Sequence, residues 1–178
     1  KFGDDGNVLV VGVQTDKFFT LSVFNAYSKL HRQLRQVQYV EDVLSVPGAI
    51  ALQKDPLTDK LIPVKIFPDS LSEHSMLDSA SHVFKNLSFY KYKLYNPEEH
   101  AYLIAVRINK EALNSVKRSK IIADITAVAK EFETATRIET YVSGLPLIRT
   151  VVADRLQEEM RFFLIGSLVL STLILLLF

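Results

Sequence analysis

The stretch Phe162–Phe178, FFLIGSLVLSTLILLLF, holds no charged residue. As a helix it extends ~25 Å, against a bilayer core of ~30 Å. It is therefore at the short edge of a membrane span, and the expectation is that the helix continues in a longer parent protein. A buried core helix is the second reading, but an amphipathic helix carries a polar face, and this segment has none. A cleavable anchor signal is the third, and it requires a polar spacer that the preceding residues do not provide. The span is the reading taken forward, carried by Phe162, Phe163, Leu164, Ile165, Leu168, Val169, Leu170, Leu173, Ile174, Leu175, Leu176, Leu177 and Phe178. Gly166, Ser167, Ser171 and Thr172 fit it, because small and hydroxyl residues are common on packed membrane helices.

The residues ahead of the tail predict that the span is an extension of the folded body. In GLPLIRTVVADRLQEEMRFF, Pro146 suits the first turn of a helix, where its missing N–H costs no hydrogen bond. Ile148, Val152, Leu156, Met160 and Phe163 recur at helical spacing, with Asp154, Gln157, Glu158 and Arg161 elsewhere around the cylinder. One helix is predicted from Pro146 to the end, amphipathic at first and apolar afterwards.

Upstream, VLVVGVQT from Val8 reads as a strand buried on both faces. Val23, Tyr27, Leu30, Leu34 and Val37 mark the core stripe of a helix over 19–37, with Thr20 or Asp16 as its cap. Residues 40–53 read as a strand interrupted at Pro47 and Gly48 by a bulge or edge. LIPVKIF is a short strand demoted by Pro63, and Ser70 with Glu73 has capping-box spacing for a helix reaching about Leu87. In FYKYKLY, Phe89–Tyr95, the alternation predicts packed rings and solvated lysines. His100–Ile108 is a strand. Asn109 caps one helix over 110–134, with Leu113, Val116, Ile121, Ile125, Val128 and Phe132 on its apolar face, and a last strand ends at Gly144.

With residues 54–97 set aside as an insertion, the order is strand–helix–strand twice. That predicts an α+β fold, a ferredoxin-like split βαβ-βαβ sandwich with a mid-chain insertion, followed by the long helix. The expected organisation is a junction at 1–7, an external domain at 8–144, a connecting helix at 145–161 and the span at 162–178.

No catalytic or cofactor pattern emerges. The chain has no cysteine, no nucleotide-binding glycine loop and no G-x-S-x-G elbow. His31, His74, His82 and His100 do not stand at metal-ligand spacing; His74 and His82 share a face of one predicted helix and are read as solvent-facing. DDGN at 4–7 meets only part of a calcium-loop pattern and is read as a turn. Asn86-Leu87-Ser88 fits a glycosylation acceptor and is discounted at a helix end. A formal net charge of +1 excludes a strong field for nucleic acid. No enzyme, cofactor or metal is expected.

The opening FGDDGNVLVVGV, the order of elements and the closing YVSGLPLIRTVVADRLQEEMRFFLIGSLVL together resemble the first extracytoplasmic loop of resistance-nodulation-division (RND) transporters, in the hydrophobe-exporter, MmpL-like branch. Gly144 and Pro146 match the turn that precedes the second span of that family. The resemblance implies an extracytoplasmic porter domain of a proton-driven exporter of hydrophobic or amphiphilic molecules, lipid-like or drug-like, in the inner (plasma) membrane. Gly144, Pro146, Leu156 and Met160 would couple the domain to the membrane. The implied partners are membrane lipid, the substrate and the rest of the transporter chain, with room for a homo-oligomer. The proton-relaying carboxylates of that family lie on a later helix, outside this chain. The alternative is a ligand-sensing or adhesive ectodomain held by a single span.

Overall fold

The computed structural model describes residues 5–55, 59–68 and 71–177. A 3-10 turn, Asp5–Asn7, leads into β1, Val8–Gln14. The β-branched run predicts burial on both faces, but β1 alternates: Leu9, Val11 and Val13 are buried, whereas Val8, Val10 and Gly12 are only half-buried. Helices cover one face of the sheet, and a run of valines hides a period of two that the fold imposes.

Helix α1, Leu21–Gln36, buries Phe24, Tyr27, Leu30, His31 and Leu34. The stripe thus starts at Phe24, with Val23 half-buried beside it. Thr20 occupies the N-cap position without capping, because its hydroxyl donates to the Lys17 carbonyl at 2.8 Å.

The expected single strand over 40–53 is two strands in two sheets. Strand β2, Val40–Leu44, stays with the main sheet. The 3-10 turn Val46–Gly48 then redirects the chain into β3, Ile50–Lys54, which pairs antiparallel with β4, Leu61–Lys65, as a separate hairpin. The inserted part therefore begins at about Ile50 rather than at residue 54. Pro63 stands opposite Leu52. It is tolerated because both strands of a lone hairpin are edges.

Helix α2, His74–Asn86, has Glu73 at its N-cap without a side-chain cap bond. Glu73 is therefore not the third helical residue that the capping-box reading requires, and Ser70 lies outside the described residues. Around Phe89–Tyr95 the expectation holds in part. Tyr90 and Tyr95 are buried, while Phe89 and Tyr92 are exposed with Lys91 and Lys93. The Lys93 ammonium lies 4.3 Å from the Phe89 ring centroid.

Strands β5, Tyr95–Asn96, and β6, Ala101–Ile108, return the chain to the main sheet. Asn109 does cap the next helix, its side-chain oxygen accepting from the Ala112 amide at 3.0 Å. That helix is broken, however, into α3, Lys110–Leu113, and α4, Arg118–Thr136. The Ser115 hydroxyl donates to the Ala112 carbonyl at 2.8 Å and accepts from the Lys117 amide at 3.2 Å, competing locally with helical bonding. Val116, predicted in the core, sits in the break at 99% exposure. Strand β7, Thr140–Ser143, precedes α5, Leu145–Leu177.

The main sheet is antiparallel in the order β2–β6–β1–β7, with β5 also on β6. Val8 faces Arg107 across β1–β6, and Val11 faces Val142 across β1–β7. Leu9, Val11 and Val13 with Tyr102, Ile104, Val106 and Ile108 form the buried face of the two central strands. Rings extend the core towards the insertion: Phe18 stacks on Tyr102 at 3.5 Å, and Phe67 links Phe24 at 4.7 Å to Phe84 of α2 at 5.7 Å.

Candidate functional site

The feature that most distinguishes this molecule from a self-contained domain is the way α5 is seated and then released. The joint begins at Gly144, whose φ of +137° is a conformation that L side chains rarely adopt. A Cβ there would lie 2.7 Å from the Val8 carbonyl oxygen and 3.2 Å from the Leu9 Cα. The turn after β7 can press against β1 only because this residue is glycine. The Ile148 amide donates to the Gly144 carbonyl at 3.1 Å, so the helix is bonded into the turn itself. Pro146 is buried in the first turn, and the buried Thr150 hydroxyl donates to its carbonyl at 2.7 Å. Leu147 packs on the core from the same turn.

The anchorage ends quickly. Ala153 is half-buried, and the Ser119 hydroxyl reaches Asp154 Oδ1 at 3.5 Å. From Asp154 to Leu177 every residue is exposed. The structure therefore separates the sequence-predicted coupling residues. Gly144 and Pro146 sit in the joint, whereas Leu156 and Met160 lie beyond it, 55% and 63% exposed. Ile148, Val152 and Phe163, which share their stripe, are likewise more than half exposed. The apolar stripe of the connecting segment is left uncovered by the described residues.

The same holds for the twelve described span residues, from Phe162 at 76% through Leu173 and Ile174 at 51% to Leu177 at 74% exposure; Phe178 lies outside the described residues. At ~1.5–3 kcal/mol per fully buried large side chain, leaving these half-covered side chains in water forfeits on the order of 10–20 kcal/mol. That matches or exceeds the whole stability of a typical domain, ~5–15 kcal/mol. A helix that is 33 residues long, with a window of mean hydropathy 2.2, is long and apolar enough to cross a membrane. Its polar side chains suit that medium: Ser167 and Thr172 donate back to the Leu164 and Leu168 carbonyls at 3.0 and 2.8 Å.

A second feature was not anticipated. His31 is 9% exposed, and its Nδ1 lies 2.8 Å from the hydroxyl of the fully buried Ser45. The signal was in the sequence: His31 follows Tyr27 by four residues and precedes Leu34 by three, within the apolar stripe. Burial holds its pKa below the usual value of 6.5, helped by Arg35, Arg32 and Lys65 and opposed by Asp42. Because the folded state resists the proton, the unfolded chain binds more protons below about pH 6.5, and stability falls as the pH drops through that value towards the folded pKa. The expected result is a urea midpoint that declines between pH 7 and about pH 5.5 and declines less in His31→Gln. Equal slopes in the two proteins would remove His31 as the cause.

Among the described residues no three His, Asp or Glu side chains gather at a metal site. His74 and His82 lie on the exposed face of α2, the latter beside Asn86 at 3.2 Å. Burial and then the Tyr95 hydroxyl push Tyr102 up to about 12, and burial raises Tyr27 well above its ordinary range, so both phenols stay protonated.

No family model matches the chain, and no curated protein matches it.

Proposed function

We propose that this chain is the extracytoplasmic porter domain of a proton-driven RND-type transporter, MmpL-like, that exports hydrophobic or amphiphilic molecules, with α5 carrying the domain into the membrane. One observation carries the reading. A single unbroken helix, Leu145–Leu177, is seated against the sheet at Gly144, with Pro146 and Thr150 buried in its first turns, and then runs uncovered into a charge-free, largely apolar stretch. Such a rod transmits displacement, because between Leu147 and Ile165 it holds no proline and no glycine–serine pair to act as a hinge. The strand order β2–β6–β1–β7, built from two strand–helix–strand units, supports the ferredoxin-like arrangement that goes with this reading. The uncovered stripe at Ile148, Val152 and Leu156 supports packing against the remainder of a longer chain.

The mechanism is alternating access: rocking of the membrane part is carried along α5 to the edge strand β7 and its neighbour β1, where the domain repacks around its cargo. Leu156→Pro tests it in the full-length protein. Proline in a helix interior costs about 3 kcal/mol and bends the rod, and residue 156 has little cover from the domain, so the strands stay folded. Transport is expected to fall by about tenfold or more, the equivalent of ~1.4 kcal/mol or more of lost coupling, with the domain's unfolding midpoint within a few degrees of wild type. Undiminished transport with a bent helix overturns the proposal.

A further inference from the structure

We propose that the cleft between α1 and the β2–β3 turn binds the anionic headgroup of an amphiphile, a phosphate or carboxylate on an apolar stem. The inference rests on the reading of this domain as one that receives amphiphiles and adds to it a charge and a place.

The cleft has a volume of about 510 Å³, within the ~300–1,000 Å³ typical of small-molecule sites. Its floor is rigid. His31 and Ser45 are bonded to each other, and Gly48 passes directly beneath the imidazole, where an added Cβ would be 3.2 Å from Cε1. One wall carries Arg32 and Arg35, three residues apart on α1 and therefore on one side of it. Neither makes a hydrogen bond or ion pair among the described residues. Lys65 of β4 adds a third cation. The one carboxylate among the described lining residues, Asp42, is engaged elsewhere: it lies 3.7 Å from Arg107 and accepts from the Val43 amide at 3.0 Å. Among the described residues, two arginines without a hydrogen-bond or ion-pair partner thus face one partly neutralised acid, with Lys65, which makes an interaction of its own, beside them. Burial first, and then Arg35, Arg32 and Lys65 against the opposing Asp42, holds the His31 pKa down, which accords with cations lining the cleft.

The rim is apolar. Leu44 and Ile50 flank the turn and stay 47% and 44% exposed, although Ser45, Val46 and Ala49 between them are buried. Guanidinium forks suit the oxygens of a phosphate or carboxylate, and the uncovered leucine and isoleucine suit an alkyl stem. A purely inorganic anion would leave the rim unused, and a cationic or neutral amphiphile would leave the arginines unpaired.

The chain contains no tryptophan, so Ile50→Trp places a single fluorescent reporter at the rim. The full chain carrying this change, in nanodiscs of zwitterionic lipid, is titrated with dodecyl phosphate. A saturable change in indole emission is expected. In the same background Arg32→Gln with Arg35→Gln raises the half-saturation concentration by about tenfold or more, whereas Lys120→Gln does not. Inorganic phosphate requires about tenfold higher concentration or more, for want of the stem, and dodecyltrimethylammonium gives no saturable change. An unchanged half-saturation in the double arginine variant overturns the site. An equal response to the cationic amphiphile reduces it to apolar surface, and inorganic phosphate binding as tightly as dodecyl phosphate makes it a plain anion site; either result overturns the proposal. The titration contains no transport step, so its failure and the failure of the Leu156→Pro experiment are read separately.

Discussion

Gly144→Ala is expected to lower the unfolding midpoint of the domain by ~6–12 °C. The estimate takes about 3 kcal/mol for an L residue held at a strongly positive φ against a backbone atom, and ~2–4 °C per kcal/mol for a chain of this size. Two costs coincide at this position. The φ of +137° is strained for any side chain, and the new methyl would meet the Val8 carbonyl oxygen at 2.7 Å. Neither neighbour is the free end of a flexible side chain: Val8 and Leu9 belong to β1, which is paired on both sides. Relief therefore requires the joint to open, withdrawing the first turn of α5 from the sheet. Gly166→Ala is the control, since a Cβ there meets nothing within 4 Å and the site is helical; alanine at that position is expected to be neutral or slightly stabilising. Thermal unfolding followed by circular dichroism distinguishes the two. Equal shifts would mean that the close approach of Gly144 to β1 is not what holds the helix in place.

Leu170→Arg combined with Ile174→Arg is expected to release the 178-residue chain from membranes. Each arginine near the centre of a span costs ~2.5–3.5 kcal/mol on insertion scales, so the pair shifts partition by ~5–7 kcal/mol, several thousand-fold or more. The two positions are one turn apart and 61% and 51% exposed, so the domain itself offers neither charge a partner nor loses packing by the change. The measurement is retention of the chain in the membrane fraction after alkaline carbonate extraction. Wild type is expected to stay in the pellet and the double variant to move to the supernatant, with Val116→Arg, a change at a fully exposed loop residue, behaving as wild type. If the doubly charged chain remains in the pellet, α5 does not cross the bilayer.

The course of α5 was legible because everything that makes it a helix is local. Pro146 in the first turn, uninterrupted helix formers through Arg161 and an unbroken apolar run after it act between residues three or four apart. The observed helix, Leu145–Leu177, begins one residue before the predicted start. The capping role of Asn109 was legible for the same reason, since its partner is the amide three residues on. The strand over 40–53 was not. Val40–Leu44 and Ile50–Lys54 carry similar composition, and what separates them is the choice of partner, β6 for one and β4 for the other. Partner choice depends on residues more than fifty positions away from β2, which no window of periodicity contains. The break at Ser115 was missed because a hydroxyl that bonds two backbone groups is indistinguishable in sequence from one that faces water. His31 stands in the stripe, but its burial depends on the Ser45 hydroxyl fourteen residues on, a partner that spacing does not reveal.

By itself, then, the sequence determined an α+β body ending in one helix too apolar for water, because hydrophobic spacing and backbone bonding within a segment need no distant partner. Tertiary structure alone decided that Gly144 must pass within contact of β1, that the chain leaves the main sheet at Pro47 and Gly48, and that this turn and β4 close a cleft against the side of α1 that carries His31, Arg32 and Arg35. Those outcomes arise from pairing and packing between residues far apart in the chain, where the free energy belongs to the contact and not to either residue alone.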